Sequence, residues 1–154
     1  MSKKAFDSIM AGLQDALAYT KGDKTRGRST AFDAGDLDGV ASLFEHAELG
    51  STRRADRVHG RTEARTYYDG VIIYDDGTPQ PQHQLTNVTV QVDGTAASAR
   101  SGFTVLQVTG QGLHPILAGD YLDRFEQVDG AWRFTERIFA PRLFGDLSRH
   151  MKRT

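Results

Sequence analysis

AGDYLDRFEQVDGAWRFTER, residues 118–137, decides the architecture. Apolar and aromatic side chains recur every second position on both sides of Asp129-Gly130, and Asp-Gly between two such runs is a hairpin signal. The run before the turn extends over 116–128 and the run after it over 131–140. Period two also fixes faces: Asp120 and Asp123 must point to opposite sides of their strand, so at most one of them faces a pocket. Working back along the chain, 82–92 and 95–108 repeat the pattern around Asp93-Gly94, with the glycine-rich TGQGLHP (109–115) as the loop between hairpins. Four long antiparallel strands in two hairpins follow. The first strand begins at HQLTN (83–87), where alternation sets His83 and Asn87 on one face and Val88, Val90 and Val92 on the other.

Upstream the period is helical. Phe6, Ile9, Met10, Leu13 and Leu17 form one apolar stripe over residues 4–20, ended by the basic, glycine-containing KGDKTRGR (21–28). FDAGDLDGVASLFEHAE (32–48) is a second helix, with Asp36 as its cap and Leu37, Val40, Leu43 and Phe44 as its buried stripe. A short strand, a turn at Gly60 and a third helix capped near Thr62 come next, and two prolines make DDGTPQPQ (75–82) a loop. Residues 141–154 read as a closing helix or ordered arm. Helices followed by meandering strands predict a single α+β domain over 1–154, with the helices on one face of the sheet.

Composition narrows the function. Net charge is −1 over 154 residues, which gives no electrostatic case for nucleic acid or an anionic membrane as partner. No run approaches the roughly 18 apolar residues of a membrane span, and no secretory leader pattern opens the chain, so a cytoplasmic protein is expected. Cysteine is absent, which removes disulfides, thiolate nucleophiles and zinc–thiolate sites. No metal-ligand spacing, dinucleotide or phosphate loop, or nucleophile elbow appears, so neither metal nor cofactor is expected.

Proton transfer near neutral pH favours histidine. His46 ends a helix, His59 and His114 lie in turns, and His150 lies in a basic tail. Only His83 stands on a strand face that can line a cavity; it is either a base or a hydrogen-bonded structural histidine. Asp36 takes the capping role at the second helix, which leaves Asp33 without a structural task. Tyr67, Phe103 and Tyr121 are aromatic residues that serve either the core or a grip on a flat apolar ligand.

AFDAGDLDGVASLFEHAEL, His83-Gln-Leu-Thr-Asn87 and AGDYLDRFEQVDGAWRFTER together resemble the SnoaL-like branch of the nuclear transport factor 2-like (cystatin-like) superfamily, over residues 28–150. That resemblance implies a cone-shaped α+β barrel. Its dehydratase and dehydrochlorinase members use a His–Asp dyad without a cofactor, and the pattern H-x-x-T-N is reproduced at His83, Thr86 and Asn87. The resemblance implies that His83 is a general base oriented by Asp33, with Arg28, Asn87, Tyr67, Phe103 and Tyr121 around a small, largely apolar substrate. Relatives carry tyrosine or lysine where this chain has Arg28, and residues 1–27 are atypical. Elimination or isomerisation is the expected chemistry, and a non-catalytic ligand-binding or accessory module is the alternative. A homodimer or homotrimer through the outer sheet face is also expected, Val88, Val90 and Val92 otherwise forming an exposed apolar patch.

Overall fold

In the computed structural model, residues 35–152 are described. The chain divides between Ala31 and Phe32 into two compact units, and the described residues belong to the second. The helix expected over 4–20, the basic segment after it, Arg28 and Asp33 all lie outside the described residues.

The order of elements is α1 (Leu37–Ser42), β1 (Glu48–Ser51), β2 (Arg57–His59), α2 (Gly60–Tyr67), then β3 (Gln82–Asp93), β4 (Ala96–Thr109), β5 (Gly112–Val128) and β6 (Ala131–Phe144). One six-stranded sheet runs β2-β1-β6-β5-β4-β3. It is antiparallel except where β1 lies parallel to β6. The fold is α+β, with helices packed on a curved sheet. The curvature has a local cause, because register shifts interrupt the long strands at Thr86/Thr89, Val105/Leu106, Ala118/Gly119 and Arg124/Phe125, and each bulge bends and twists its strand.

The second Asp-Gly turn forms where the sequence sets it, whereas in the first hairpin Asp93 still pairs with Ala96 and the turn is Gly94-Thr95. Asp129 and Gly130 have φ of 51° and 77°, the positive values a two-residue primed turn requires. Four other expectations change. The loop 109–115 shrinks to Gly110-Gln111, because Thr109 already pairs with Gly112. The strand after the last turn continues to Phe144. Pro141, which has no N–H to donate, is tolerated there because it faces Gly119 at a register shift. The helix expected to reach residue 48 stops at Ser42, and Glu48–Ser51 instead satisfy their backbone against β6. The third helix starts at Gly60 rather than Thr62, with the Glu63 carboxylate accepting from the backbone N–H of His59 at 2.7 Å.

Asp36 caps α1 as expected: its Oδ1 accepts from Gly39 N–H at 2.7 Å. A six-residue helix draws little stability from propensity, so this bond matters. Asp36→Ala should cost about 1 kcal/mol and Asp36→Ser much less, read from urea unfolding midpoints.

The core has two centres. Ala41, Phe44, Ala47, Leu49 and Ala64 pack beneath the helices, with Tyr67, Tyr68 and Phe134 against them. Phe103, Val105, Ile116 and Leu117 form the second, joined by Tyr121, Phe139 and Leu147. Both lie on the inner face of the sheet. The outer face is charged: Arg57 and Arg124 pair with Glu136 (3.0 and 3.2 Å), and Arg100 and Arg142 with Asp120 (3.4 and 3.2 Å).

Strand β3 corrects one further expectation. Before its bulge His83 pairs with Val105 and Leu85 with Phe103; after it Val90 pairs with Ala99 and Val92 with Ala97. All four partners share one face of β4, so Val90 and Val92 lie on the same side as His83, not opposite it. Asn87, with φ of 51°, occupies the bulge that makes the switch. Leu85, Val88, Val90 and Val92 are indeed exposed, at 56–63%. The patch they form is on the inner side of the sheet, so it does not argue for association through the outer face.

Candidate functional site

The site grows from the middle of the inner face. Phe103 on β4, Tyr121 on β5 and Phe139 on β6 are neighbours across three strands. Phe103 lies 4.7 Å from the Tyr121 ring and 4.8 Å from that of Phe139, centre to centre. Together they make an aromatic wall, tilted and offset as such pairs prefer. Arg137 lies over the Tyr121 ring at 4.5 Å and over Phe134 at 4.7 Å. Its Nε and Nη2 donate to the two oxygens of Asp123, each at 2.8 Å. A guanidinium is thus fixed beneath the wall by a fork-to-fork pair.

His83 stands at one end of the wall. Its Nδ1 is 3.5 Å from the Tyr121 hydroxyl, a long contact. Beyond it lies the imidazole of His150, 6.1 Å away centre to centre and nearly edge-on at 68°. The surrounding protein makes imidazolium costly, which lowers the pKa of His83. Burial chiefly, and the neighbouring His83, lower that of His150. Burial raises Tyr121 against the opposing pull of Arg137, so its phenol stays protonated. Tyr68, at the end of α2, is raised further by burial.

Both histidines therefore bind protons more readily in the unfolded chain than in the native one. Stability must rise with pH across the interval between their lowered native pKa values and the unfolded value of about 6.5. It is complete above that interval and is lost as pH falls through it. Chemical unfolding measured from pH 7.5 down to 5 should show this slope, and the double variant His83→Gln/His150→Gln should flatten it.

The sequence-derived residues are placed unequally. His83, Phe103 and Tyr121 come together. Tyr67 belongs to the helix-side core, meets Tyr68 edge-on at 5.8 Å, and acts electrostatically on Tyr121. Asn87 lines a hollow of about 690 Å³ with Thr86, Thr89, Arg100, Asp120 and Arg142. That hollow is open and lies along the charged outer face, with Phe103 also in its lining. Asp33 and Arg28 lie outside the described residues. Phe139, Arg137 and His150 stand at the site although the sequence did not single them out. Buried polar atoms without a partner among the described residues include Gln107 Oε1, His114 Nε2 and His150 Nδ1; such an atom costs about 1–3 kcal/mol. Gln107 and His114 are cross-strand neighbours on β4 and β5, and the Gln107 amide donates to Arg149 O at 3.1 Å, next to His150.

A curved antiparallel sheet with two helices and an aromatic inner face is a cystatin-like cone. Among solved structures, an NTF2-like protein with a cystatin-like fold from Novosphingobium aromaticivorans superposes with a TM-score of 0.57 at 22% identity, covering 69% of each chain. A Mycobacterium tuberculosis protein of unknown function gives 0.58 at 24% identity, covering 90% of this chain and 73% of that one. A protein provisionally named scytalone dehydratase, also from N. aromaticivorans, gives 0.59 at 18% identity, covering 95% and 91%. Residues 26–138 match the SnoaL-like domain, and the chain belongs to that family. Among curated proteins none matches this chain. Among the described residues no helix is long and apolar enough to cross a membrane.

Proposed function

We propose that this protein is a cofactor-free enzyme that abstracts a proton from carbon in a small, largely apolar molecule and completes an elimination or isomerisation. The observation that carries the reading is the approach of His83 Nδ1 to the Tyr121 hydroxyl at the end of the aromatic wall.

The chemistry closes on these two groups. Neutral His83 takes the proton, the C–H electron pair becomes the new double bond, and the leaving oxygen departs with its own bonding pair. Tyr121 protonates that oxygen, so a hydroxyl leaves as water. The proton on His83 then returns to the Tyr121 phenolate across their shared contact, restoring both groups. Arg137 lies over the Tyr121 ring and favours the phenolate while it lasts. In an isomerisation the same proton returns to a different carbon. Asp33 is assigned the second nitrogen of His83, where a carboxylate fixes the tautomer and stabilises imidazolium, and Arg28 is assigned the polar end of the substrate. The relative provisionally named scytalone dehydratase supports a dehydration as the elimination.

The test needs no known substrate. Proton abstraction beside a carbonyl exchanges that hydrogen with solvent, so cyclohexanone and 1-tetralone incubated with the protein in D₂O should take up deuterium, read by mass spectrometry. A second reading, a ligand-binding module without catalysis, is favoured by the length of the His83–Tyr121 contact. It predicts binding of such ketones with no uptake above solvent background.

A further inference from the structure

The arm after β6 is docked through its backbone. Gly145 N–H donates to Ile116 O at 2.8 Å, and His150 and Met151 both donate to Leu147 O at 2.9 Å. Ile72 donates to His150 O at 2.9 Å and Lys152 to Gly70 O at 2.7 Å. The Tyr74 hydroxyl and the Gln107 amide both donate to Arg149 O, at 2.6 and 3.1 Å. Hydrogen bonds thus fix the chain just before, at and just after residue 150. None of them uses the imidazole.

That imidazole is 7% exposed and turned edge-on toward His83, and its Nδ1 is buried without a partner among the described residues. A leucine or phenylalanine would fill the same space and leave no nitrogen unpaired. Docking therefore does not account for a histidine at this position, and a buried polar atom left unpaired calls for another explanation. What the ring faces is His83.

We propose that His150 is a positioning residue for His83: its ring, held by the arm, sets the plane of the His83 ring at the end of the Phe103–Tyr121–Phe139 wall, and the two imidazoles stand close enough for the charge of one to be felt at the other. This rests on the reading of His83 as the base. Tyr121 faces the pair from β5, with Arg137 and Asp123 behind it on β6 and β5. Asp69 and Tyr74 come from the segment under the arm, and Arg149 and Lys152 flank His150 on the arm itself. Among these, His83 is the group whose charge shifts His150.

The experiment is a proton NMR titration of the Cε1–Hε1 signals in the full chain. In the wild type, the curves of His83 and His150 should each show a second inflection at the other's midpoint, as coupled sites do. His150→Phe should remove the second inflection from His83 and shift its midpoint upward, with His150→Gln giving the same shift if the phenylalanine variant does not fold. Independent single-step curves for both rings in the wild type overturn the proposal without any variant, as does an unmoved His83 in a folded variant. Deuterium uptake by His83→Ala separates this from the base reading. His83-dependent uptake alongside uncoupled rings overturns the role of His150 alone. Coupled rings with uptake independent of His83 overturn the base, and the positioning role with it.

Discussion

Asp123→Ala should lower the free energy of unfolding by about 3–5 kcal/mol, because it strands a half-buried guanidinium with no counter-charge. The Asp123 side chain is 6% exposed and that of Arg137 23%. Both forks of the pair are engaged at 2.8 Å, while the other neighbours of Arg137 are ring faces, Tyr121 and Phe134. Ring faces attract a cation but cannot accept its N–H groups in plane as a carboxylate does. Removing both charges is a different experiment. Asp123→Leu/Arg137→Met replaces the pair by apolar groups of similar size and should recover most of the loss, since well-packed apolar replacements of buried pairs are often neutral or better. Urea unfolding of the two variants decides the matter: a loss below about 1 kcal/mol in Asp123→Ala would place the pair with exposed salt bridges. The double variant also reports on the site, because Tyr121 then loses the cation over its ring while the fold persists.

That pair also shows where sequence reading stops. Counting straight outward from Asp129-Gly130 sets Asp123 opposite Glu136 and leaves Arg137 one step beyond. The bulge between Arg124 and Phe125 adds a residue, moving Asp123 to Arg137 and Arg124 to Glu136. The hairpin, its turn and the opposite facing of Asp120 and Asp123 were legible, because they follow from a strict period and from Asp-Gly chemistry. The bulge was not, since no glycine or proline marks it. The same holds at Asn87. Alternation read without the bulge sends Val90 and Val92 to the wrong side, and the only local hint is an asparagine, a residue that tolerates positive φ. His150 was illegible for another reason: its place beside His83 is set by backbone bonds to residues 70, 72 and 147, a tertiary docking that carries no periodic signal. Phe103 and Tyr121 were legible because each stands on a regular strand, and His83 because it opens the H-x-x-T-N pattern of the family the chain resembles.

His83→Ala should reduce deuterium uptake into a ketone probe by about 10²–10⁴-fold, the usual contribution of a positioned general base. The substitution is mild for the fold, because His83 lies on the edge strand β3 and is exposed. Loss of uptake with an unchanged unfolding midpoint therefore belongs to the chemistry. The pH profile supplies an independent check with a definite sign. Although the residue keeps an edge open to solvent, the protein packed around its ring desolvates imidazolium and lowers the pKa of His83, so the base stays neutral to a lower pH than free imidazole, and kcat/KM should hold its plateau through about 6.5 before falling. Tyr121→Phe should act differently. It removes the proton donor but leaves the base, so exchange beside a carbonyl survives while loss of a hydroxyl from a β-hydroxyketone slows. Such a split assigns abstraction to His83 and leaving-group protonation to Tyr121; equal losses in both assays would show that Tyr121 only holds the His83 ring. Full uptake by His83→Ala would remove this residue from the chemistry and leave the aromatic wall as a binding surface.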